Sequence, residues 1–235
     1  MHRILFLVIV FTSTIASCGP AASRNGLATT MRAVLYEESI GNPKGDRAVG
    51  QVTWRVEPTT DASAPPGDVT VRGDVEVPSR NLRMTRSIRR NFDSSLPATH
   101  TVQIEFAPSL DFAGGSIKQV MGLLMKSNEA AKGAPIAALS VRIDDRHFLM
   151  GLSAVSQDAS NNSLLIRSRA WMDIPMIYAT QRRAILAVEK DGDVLPLFNA
   201  VFSEAMTRKV ESPARQGARS HRDPEQAQGR LNDQP

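Results

Sequence analysis

A strict alternation of apolar and polar residues recurs along the chain and constrains its fold more than any other feature. Val69, Val71, Val75 and Val77 alternate with polar residues, and the segment from Thr101 to Phe106 repeats the pattern. Successive side chains of a β-strand point to opposite faces, so this period predicts strands with one buried face. Further strands are predicted at 33–36, 50–56, 139–143, 148–150, 174–178 and 184–188, with a hairpin turn at 144–146.

Two helices are predicted late in the chain. Asp193 is a candidate cap for a helix whose apolar stripe has the spacing i, i+3, i+4, i+7, with the members Val194, Leu197, Phe198, Val201 and Ala205. A second helix is predicted from about Ala159 to Ala170, and residues 114–126 fit either a short helix or a buried loop. The predicted fold class is therefore mainly β (α+β): an antiparallel β-sandwich or curved sheet with one or two helices packed late in the chain.

The N-terminus has the layout of an export signal. Arg3 precedes an apolar run from Ile4 to Ile15, and small residues follow. The run is too short to span a bilayer, which takes about 20 apolar residues. The sequence therefore predicts a cleaved signal peptide at residues 1–17.

The end of this signal, Ile15-Ala16-Ser17-Cys18, resembles the lipobox of bacterial lipoproteins. The resemblance implies that Cys18 receives a diacylglycerol and becomes the mature N-terminus, anchored in a membrane of the cell envelope and facing the periplasm. In that family Asp after the cysteine retains the protein at the inner membrane, so Gly19 favours the outer membrane. The alternative is an incidental cysteine in an ordinary signal peptide.

Composition divides the rest of the chain. Residues 18–30 are mostly small or polar and predict a flexible tether, 31–209 predict one β-rich domain, and 210–235 have almost no apolar residues and predict a disordered tail. Cys18 is the only cysteine, so a disulfide within the mature chain is excluded. A formal net charge of +4 is too mild to indicate nucleic acid, but it suits anionic lipid head groups or anionic envelope polymers.

Several segments of the body are similar to an uncharacterised C-terminal domain of exported or membrane-anchored alphaproteobacterial proteins. They are 32–38, 74–78, 151–153, 169–175 and 183–190, and the resemblance covers roughly 31–209. It implies no catalytic or binding residue. The chain departs from that pattern at Met206, where a tryptophan is expected, and at Asp144-Asp145, where a glycine is expected in the turn.

No motif in the sequence carries recognisable chemistry. His100 and His147 are isolated on predicted strands, and neither an HExxH motif nor a cysteine pair is present, so no metal site or cofactor is predicted. Gly151-Leu152-Ser153 lacks the second glycine of a nucleophile elbow. We therefore assign no catalytic residue from the sequence.

An arginine cluster is the one feature that suggests binding. Arg83, Arg86, Arg89 and Arg90 lie within one predicted strand, close after Arg80. Guanidinium groups suit phosphate and carboxylate, so these four are candidates for an anion-binding face. The alternative, which we favour, is a solvated face whose arginines pair with Asp74 and Glu76 on a neighbouring strand.

These features predict a lipid-anchored cell-envelope protein. Its β-rich domain is expected to be a non-catalytic module that binds or braces another envelope protein or an anionic polymer. The alternative is an envelope hydrolase whose carboxylates converge with His100 or His147 only in the folded chain. A histidine within hydrogen-bond reach of a carboxylate or serine in a cleft would favour the alternative.

Overall fold

Twelve strands in the computed structural model, which describes residues 28–202, form one antiparallel sheet. The strands are β1 (Thr29–Ser39), β2 (Asn42–Pro58), β3 (Val69–Val77), β4 (Leu82–Arg90), β5 (Ala98–Phe106), β6 (Ile117–Val120), β7 (Leu124–Lys126), β8 (Ala134–Pro135), β9 (Ala138–Arg142), β10 (His147–Ser153), β11 (Trp171–Tyr178) and β12 (Arg183–Glu189). The helices are α1 (Ser156–Ser168) and α2 (Leu195–Phe202), and short 3-10 turns occupy Pro78–Arg80 and Gly192–Val194.

The sheet curls until its two ends approach each other. Its order is β8-β7-β11-β12-β1-β2-β3-β4-β5-β10-β9, and β6 pairs with β11 beside β7. Across the gap the hydroxyl of Ser140 on β9 donates to the carbonyl oxygen of Val120 on β6 at 2.8 Å. The prediction of a mainly β domain with late helices is confirmed, in its form of a curved antiparallel sheet.

Every predicted strand is present, although β9 ends at Arg142, one residue before the predicted end, and one segment corrects the sequence analysis. Residues 114–126 form neither a helix nor a plain loop, because they contain β6 and β7. Both strands pair with β11, which buries Ile117, Val120 and Met125. Gly122 separates them at φ +143°, a backbone conformation that favours glycine.

Both predicted helices are present, with shifted starts. The first begins at Ser156, three residues before the expected position. Asp193 does not cap the second, because the chain enters it through the 3-10 turn Gly192–Val194, where the Asp191 side chain accepts from the Gly192 amide. Of the predicted apolar stripe, Val194, Phe198 and Val201 are buried and Leu197 is partly buried, whereas Ala205 lies outside the described residues. Phe202, beside the stripe, is also buried.

The interior of the curled sheet is the core. Alternate residues of each strand point inward, among them Val71, Val75, Leu82, Met84, Ile88, Val102 and Ile104. A small second cluster of Val34, Trp171 and Ala187 lies apart from this core. The inward positions are therefore filled by apolar side chains, with few exceptions.

One end of the curled sheet carries both the start of the described chain and the helices. β1 begins at Thr29, opposite Trp54, inside the segment predicted as tether. β12 runs antiparallel to β1, so the chain leaves β12 beside the start of β1 and continues into α2. The predicted signal peptide, Cys18, the tether before residue 28 and the tail from residue 210 lie outside the described residues.

Candidate functional site

The four candidate arginines lie on β4, and they do not share a face. Alternation turns Arg83 and Arg89 outward, whereas Arg86 and Arg90 lie on the side of the buried Leu82. The prediction of a single arginine face is corrected accordingly, because residues of odd and even number point to opposite sides of a strand.

Three of these arginines are neutralised by carboxylates. Arg83 donates to Glu76 on the neighbouring β3 at 2.9 Å, as the alternative interpretation predicted. Arg89 pairs with Asp61. Arg90 lies 3.4 Å from Asp68. They therefore offer little free charge for an external anion.

Arg86 is the exception. Its side chain is fully buried, and its Nη1 donates to the Met172 sulfur at 2.6 Å. The guanidinium lies over the Trp54 ring, 4.6 Å from its centre, but Nε and Nη2 have no hydrogen-bond partner in the described part of the chain. Those two nitrogens form one edge of the guanidinium, the edge that binds a carboxylate or phosphate through two parallel hydrogen bonds. Burial lowers the Arg86 pKa to about 9.

Lys190, directly after β12, is a second fully buried cation. Its Nζ has no hydrogen-bond partner among residues 28–202 and lies 4.5 Å from the centre of the Phe198 ring. The Lys190 pKa is lowered to about 7, chiefly by burial and also by the positive charge of Arg86, while Asp191 opposes the shift. The two cations therefore act on each other inside the same core.

Two aromatic rings connect these cations. Trp54 and Phe198 meet edge to face with their centres 5.1 Å apart, and the Trp54 indole N–H donates to the Glu189 carbonyl oxygen at 2.8 Å. Gly73 sits between Trp54 and Arg86 in the sheet register, and a Cβ there would lie 2.7 Å from the indole. We call Arg86, Lys190, Trp54 and Phe198 the interior cation cluster.

The interior cation cluster is electrostatically incomplete. Burying an ion without an opposite charge costs several kcal/mol, and contacts with aromatic faces offset only about 1–2 kcal/mol of that cost. Among the described residues, no carboxylate forms an ion pair with Arg86 or Lys190. Buried donors without partners are rare in folded proteins and call for a physical explanation. Within residues 28–202 the two cations therefore lack a counter-charge at positions shielded from water.

A groove of about 530 Å³ on the outer face of the sheet contains the second candidate site. It is lined by His147, Asp144, Glu105, Ser87 and Arg72, among others. His147 Nδ1 lies 2.8 Å from Asp144 Oδ2, and its Nε2 lies 3.6 Å from Glu105. A histidine thus lies within hydrogen-bond reach of a carboxylate in a groove, which meets the criterion that favours a hydrolase.

The local turn accounts for the Asp144–His147 contact. Asp144 Oδ1 accepts from the backbone amides of Arg146 and His147, both at 2.8 Å, as an aspartate does in a tight turn. These hydrogen bonds and His147 lower the Asp144 pKa to about 2. Within residues 28–202, no hydrogen bond joins Ser87 to His147, so no activated serine is formed.

The other histidine, His100, lies at the base of α2. Its Nε2 donates to the Val201 carbonyl oxygen at 3.2 Å, and its ring stacks on Phe202 with centres 4.1 Å apart. Burial lowers the His100 pKa to about 4, so the ring is neutral near pH 7. His100 therefore has a structural role at the seat of α2.

A polar cleft of about 320 Å³ at the opposite end contrasts with the interior cation cluster. There the buried Glu37 accepts hydrogen bonds from Tyr178 at 2.9 Å and from Arg80 at 2.5 Å, and Arg182 lies 4.0 Å away. Burial, followed by the negative charge of Glu37, raises the Tyr178 pKa. The Glu37 carboxylate is therefore paired within the described residues, and its charge does not require a ligand.

Sequence reasoning missed the interior cation cluster although part of the signal was present. Arg86 shares the parity of Leu82, Met84 and Ile88, and Lys190 shares that of Leu186 and Val188. Strand alternation therefore assigns both cations to the inward face. Trp54 and Phe198 give no such signal, because an inward aromatic residue is ordinary core.

Comparison of the chain with protein-family models, with curated proteins and with solved structures finds no match. None of the helices in the described part of the chain has the length and hydropathy needed to cross a bilayer. Between residues 28 and 202, no group of three His, Cys, Asp or Glu side chains is placed to share a metal ion. The unpartnered buried cations of the interior cation cluster are therefore the feature from which we derive a functional proposal.

Proposed function

We propose that the chain is a lipid-anchored protein of the bacterial cell envelope whose β domain is a non-catalytic module that binds an anionic group. The observation that carries this proposal is the pair of buried cations, Arg86 and Lys190, without a carboxylate partner. A bound anion would complete their hydrogen bonds and neutralise their charge. The sequence Ile15-Ala16-Ser17-Cys18 supports the anchor, and Gly19 supports the outer membrane over the inner one.

Anion binding is tested by the thermal stability of the full chain in detergent micelles. A ligand that binds only the folded state raises the unfolding midpoint with its concentration. We expect inorganic phosphate to raise it relative to chloride at equal ionic strength, in wild type and in the control Arg83→Met. Phosphate also stabilises folded proteins without a specific site, so Arg86→Met should reduce the difference between phosphate and chloride and not remove it. An equal response of wild type and Arg86→Met would contradict the proposal.

The anchor is tested separately. Cys18→Ser should abolish incorporation of radiolabelled palmitate and release the protein from the membrane fraction, because the proposed lipid is attached to the cysteine sulfur. Equal labelling of wild type and Cys18→Ser would show that Cys18 is not lipidated.

The second candidate function is an envelope hydrolase, favoured by His147 beside Asp144 and Glu105 in the outer groove. It requires a nucleophile or water activated by His147. If the groove is catalytic, hydrolysis of an ester panel by the full chain will be lost in both Ser87→Ala and His147→Gln. Our proposal predicts that the wild type hydrolyses none of these esters above the level of the double variant.

A further inference from the structure

α2 covers Lys190 and Trp54 of the interior cation cluster. Phe198 of α2 lies against both Trp54 and Lys190, and Val201 and Phe202 complete the buried face of the helix. Removing α2 would therefore uncover Lys190 together with the aromatic ring beside Arg86. No other described helix carries a ring against the cluster.

Hydrogen bonds and packing attach the described part of α2, Leu195–Phe202, to the rest of the domain. Arg90 donates to the carbonyl oxygens of Val201 at 3.0 Å and Ala200 at 3.1 Å, and Arg167 donates to the Asn199 side chain at 2.9 Å. The chain enters α2 through Gly192 at φ +53°, with open space around its Cβ position. All of these attachments are non-covalent, so α2 can separate from the sheet without breaking a covalent bond.

The space beneath α2 would accept an apolar group as well as an anion. α2 fills it with Phe198, Val201 and Phe202, which belong to the same apolar core as Val71, Ile88 and Val102. A small free anion would satisfy the two cations but leave this apolar surface exposed once α2 has moved. A ligand with an acidic head and a hydrocarbon chain satisfies both requirements.

The cluster also lies at the membrane side of the domain if Cys18 carries a lipid. β1 starts at Thr29, opposite Trp54 of the cluster. The chain from Cys18 to Thr29 spans at most about 40 Å when fully extended. The end covered by α2 is thus held within reach of the bilayer surface.

We propose that the interior cation cluster binds the acidic head group of an anionic lipid, with its acyl chain in the space that α2 occupies in this structure. Arg86 receives the head group through Nε and Nη2, and Lys190 neutralises it from the side that Phe198 covers while α2 is in place. This inference rests on the proposed anion-binding function and names the class of ligand.

Trp54 reports directly on an acyl chain that enters the interior. In a Trp171→Phe background, Trp54 is the only remaining tryptophan. The full chain is placed in phosphatidylcholine vesicles that contain phosphatidylglycerol with dibrominated acyl chains, and Trp54 fluorescence is recorded. Bromine quenches tryptophan only at close contact. The matched vesicles carry the bromine on phosphatidylcholine instead.

We expect quenching by brominated phosphatidylglycerol and little by brominated phosphatidylcholine, whose choline cation opposes Arg86 and Lys190. In Arg86→Met and in Lys190→Met, about ten-fold more phosphatidylglycerol should be needed for the same quenching, because one charge-assisted contact is lost. Arg83→Met, which alters an outward arginine of the same strand, should behave as wild type.

Two results would overturn the inference. Equal quenching by the two lipids would show that apolar contact alone admits the chain, and unchanged quenching in both cluster variants would show that the cations do not hold the head group. If phosphate stabilises the wild type but brominated phosphatidylglycerol fails to quench, anion binding stands and the lipid inference fails. If neither effect occurs, both proposals fail.

Discussion

At the scale of single residues, the contrast between two buried lysines carries the most information. Lys126 lies 2.8 Å from Asp173, and it also donates to the Glu129 carbonyl oxygen at 2.7 Å. Lys190 is equally buried and has neither an acid nor a carbonyl acceptor. The same side chain is therefore paired at one position and unpaired at the other within a single sheet.

This contrast predicts that replacing lysine by methionine has opposite effects on the free energy of unfolding at positions 190 and 126. Lys190→Met should leave the free energy of unfolding unchanged or raise it by up to about 4 kcal/mol, because it removes an unpaired buried charge at similar volume. Lys126→Met should lower it by about 3–5 kcal/mol, because it leaves Asp173 buried without its cation. Urea unfolding of the full-chain variants measures both. A loss of stability in Lys190→Met as large as in Lys126→Met would contradict the account.

His100 predicts a pH dependence of stability. Its pKa falls from 6.5 to about 4 on folding, so the unfolded chain binds more protons in that interval and stability falls as the pH drops from 6.5 toward 4. Full protonation costs about 3 kcal/mol, the free-energy equivalent of that shift. His100→Gln keeps a donor for Val201 and should lack this contribution. If the melting temperatures of wild type and His100→Gln fall by the same amount from pH 7 to pH 4, this role of His100 is refuted.

At the scale of elements, β3 leaves room for the interior cation cluster and α2 packs over it. Gly73 of β3 leaves room for the Trp54 indole, and Phe198 of α2 closes over it. A strand residue without a side chain is thus matched to the largest side chain of the core. The cluster depends on this pairing across neighbouring strands.

Gly73→Ala should lower the free energy of unfolding by about 1–3 kcal/mol, because overpacking forces side chains off their rotamers. The new Cβ would lie 2.7 Å from an indole that Phe198 and Arg86 already hold. Gly151→Ala on β10 is the matched control, since its Cβ meets only the Ala98 methyl at 3.1 Å. Chemical denaturation should show a clearly larger shift for Gly73→Ala, and equal shifts would contradict the proposed close packing.

Phe198→Ala tests the role of α2 in the core. Truncating a fully buried phenylalanine typically costs about 3–5 kcal/mol, a large share of the stability of a domain. We expect a loss of this size, whereas Leu197→Ala, at a partly buried position of the same helix, should cost less. An unshifted urea midpoint for Phe198→Ala would show that α2 does not contribute to the folded core.

At the scale of the whole molecule, the alternation of apolar and polar residues predicted where the strands lie in the sequence. It did not predict which strands pair with each other in the sheet. The periods around Val69 and Val102 identify β3 and β5, and the same parity assigns Arg86 and Lys190 inward positions. Whether those positions meet depends on the pairing of β1 with β12, which joins residues more than a hundred positions apart. Sequence periodicity is local, so it could predict two inward cations but not that they share one core.

At this scale we propose that the curled sheet holds Arg86 and Lys190 without a carboxylate partner among the described residues, so that both can bind an anion. In the folded chain Lys190 should titrate near pH 7, because burial and the Arg86 charge disfavour its charged form, and a bound anion should raise that pKa. NMR of isotope-labelled lysine side chains in the full chain follows the Lys190 Cε resonance against pH, with Lys190→Met providing its assignment.

We predict a Lys190 midpoint near pH 7 without ligand, moving upward when anionic lipid is added and staying in place with phosphatidylcholine alone. A midpoint that anionic lipid leaves unmoved, or one near the ordinary lysine value of 10.5 in the absence of ligand, would contradict the account.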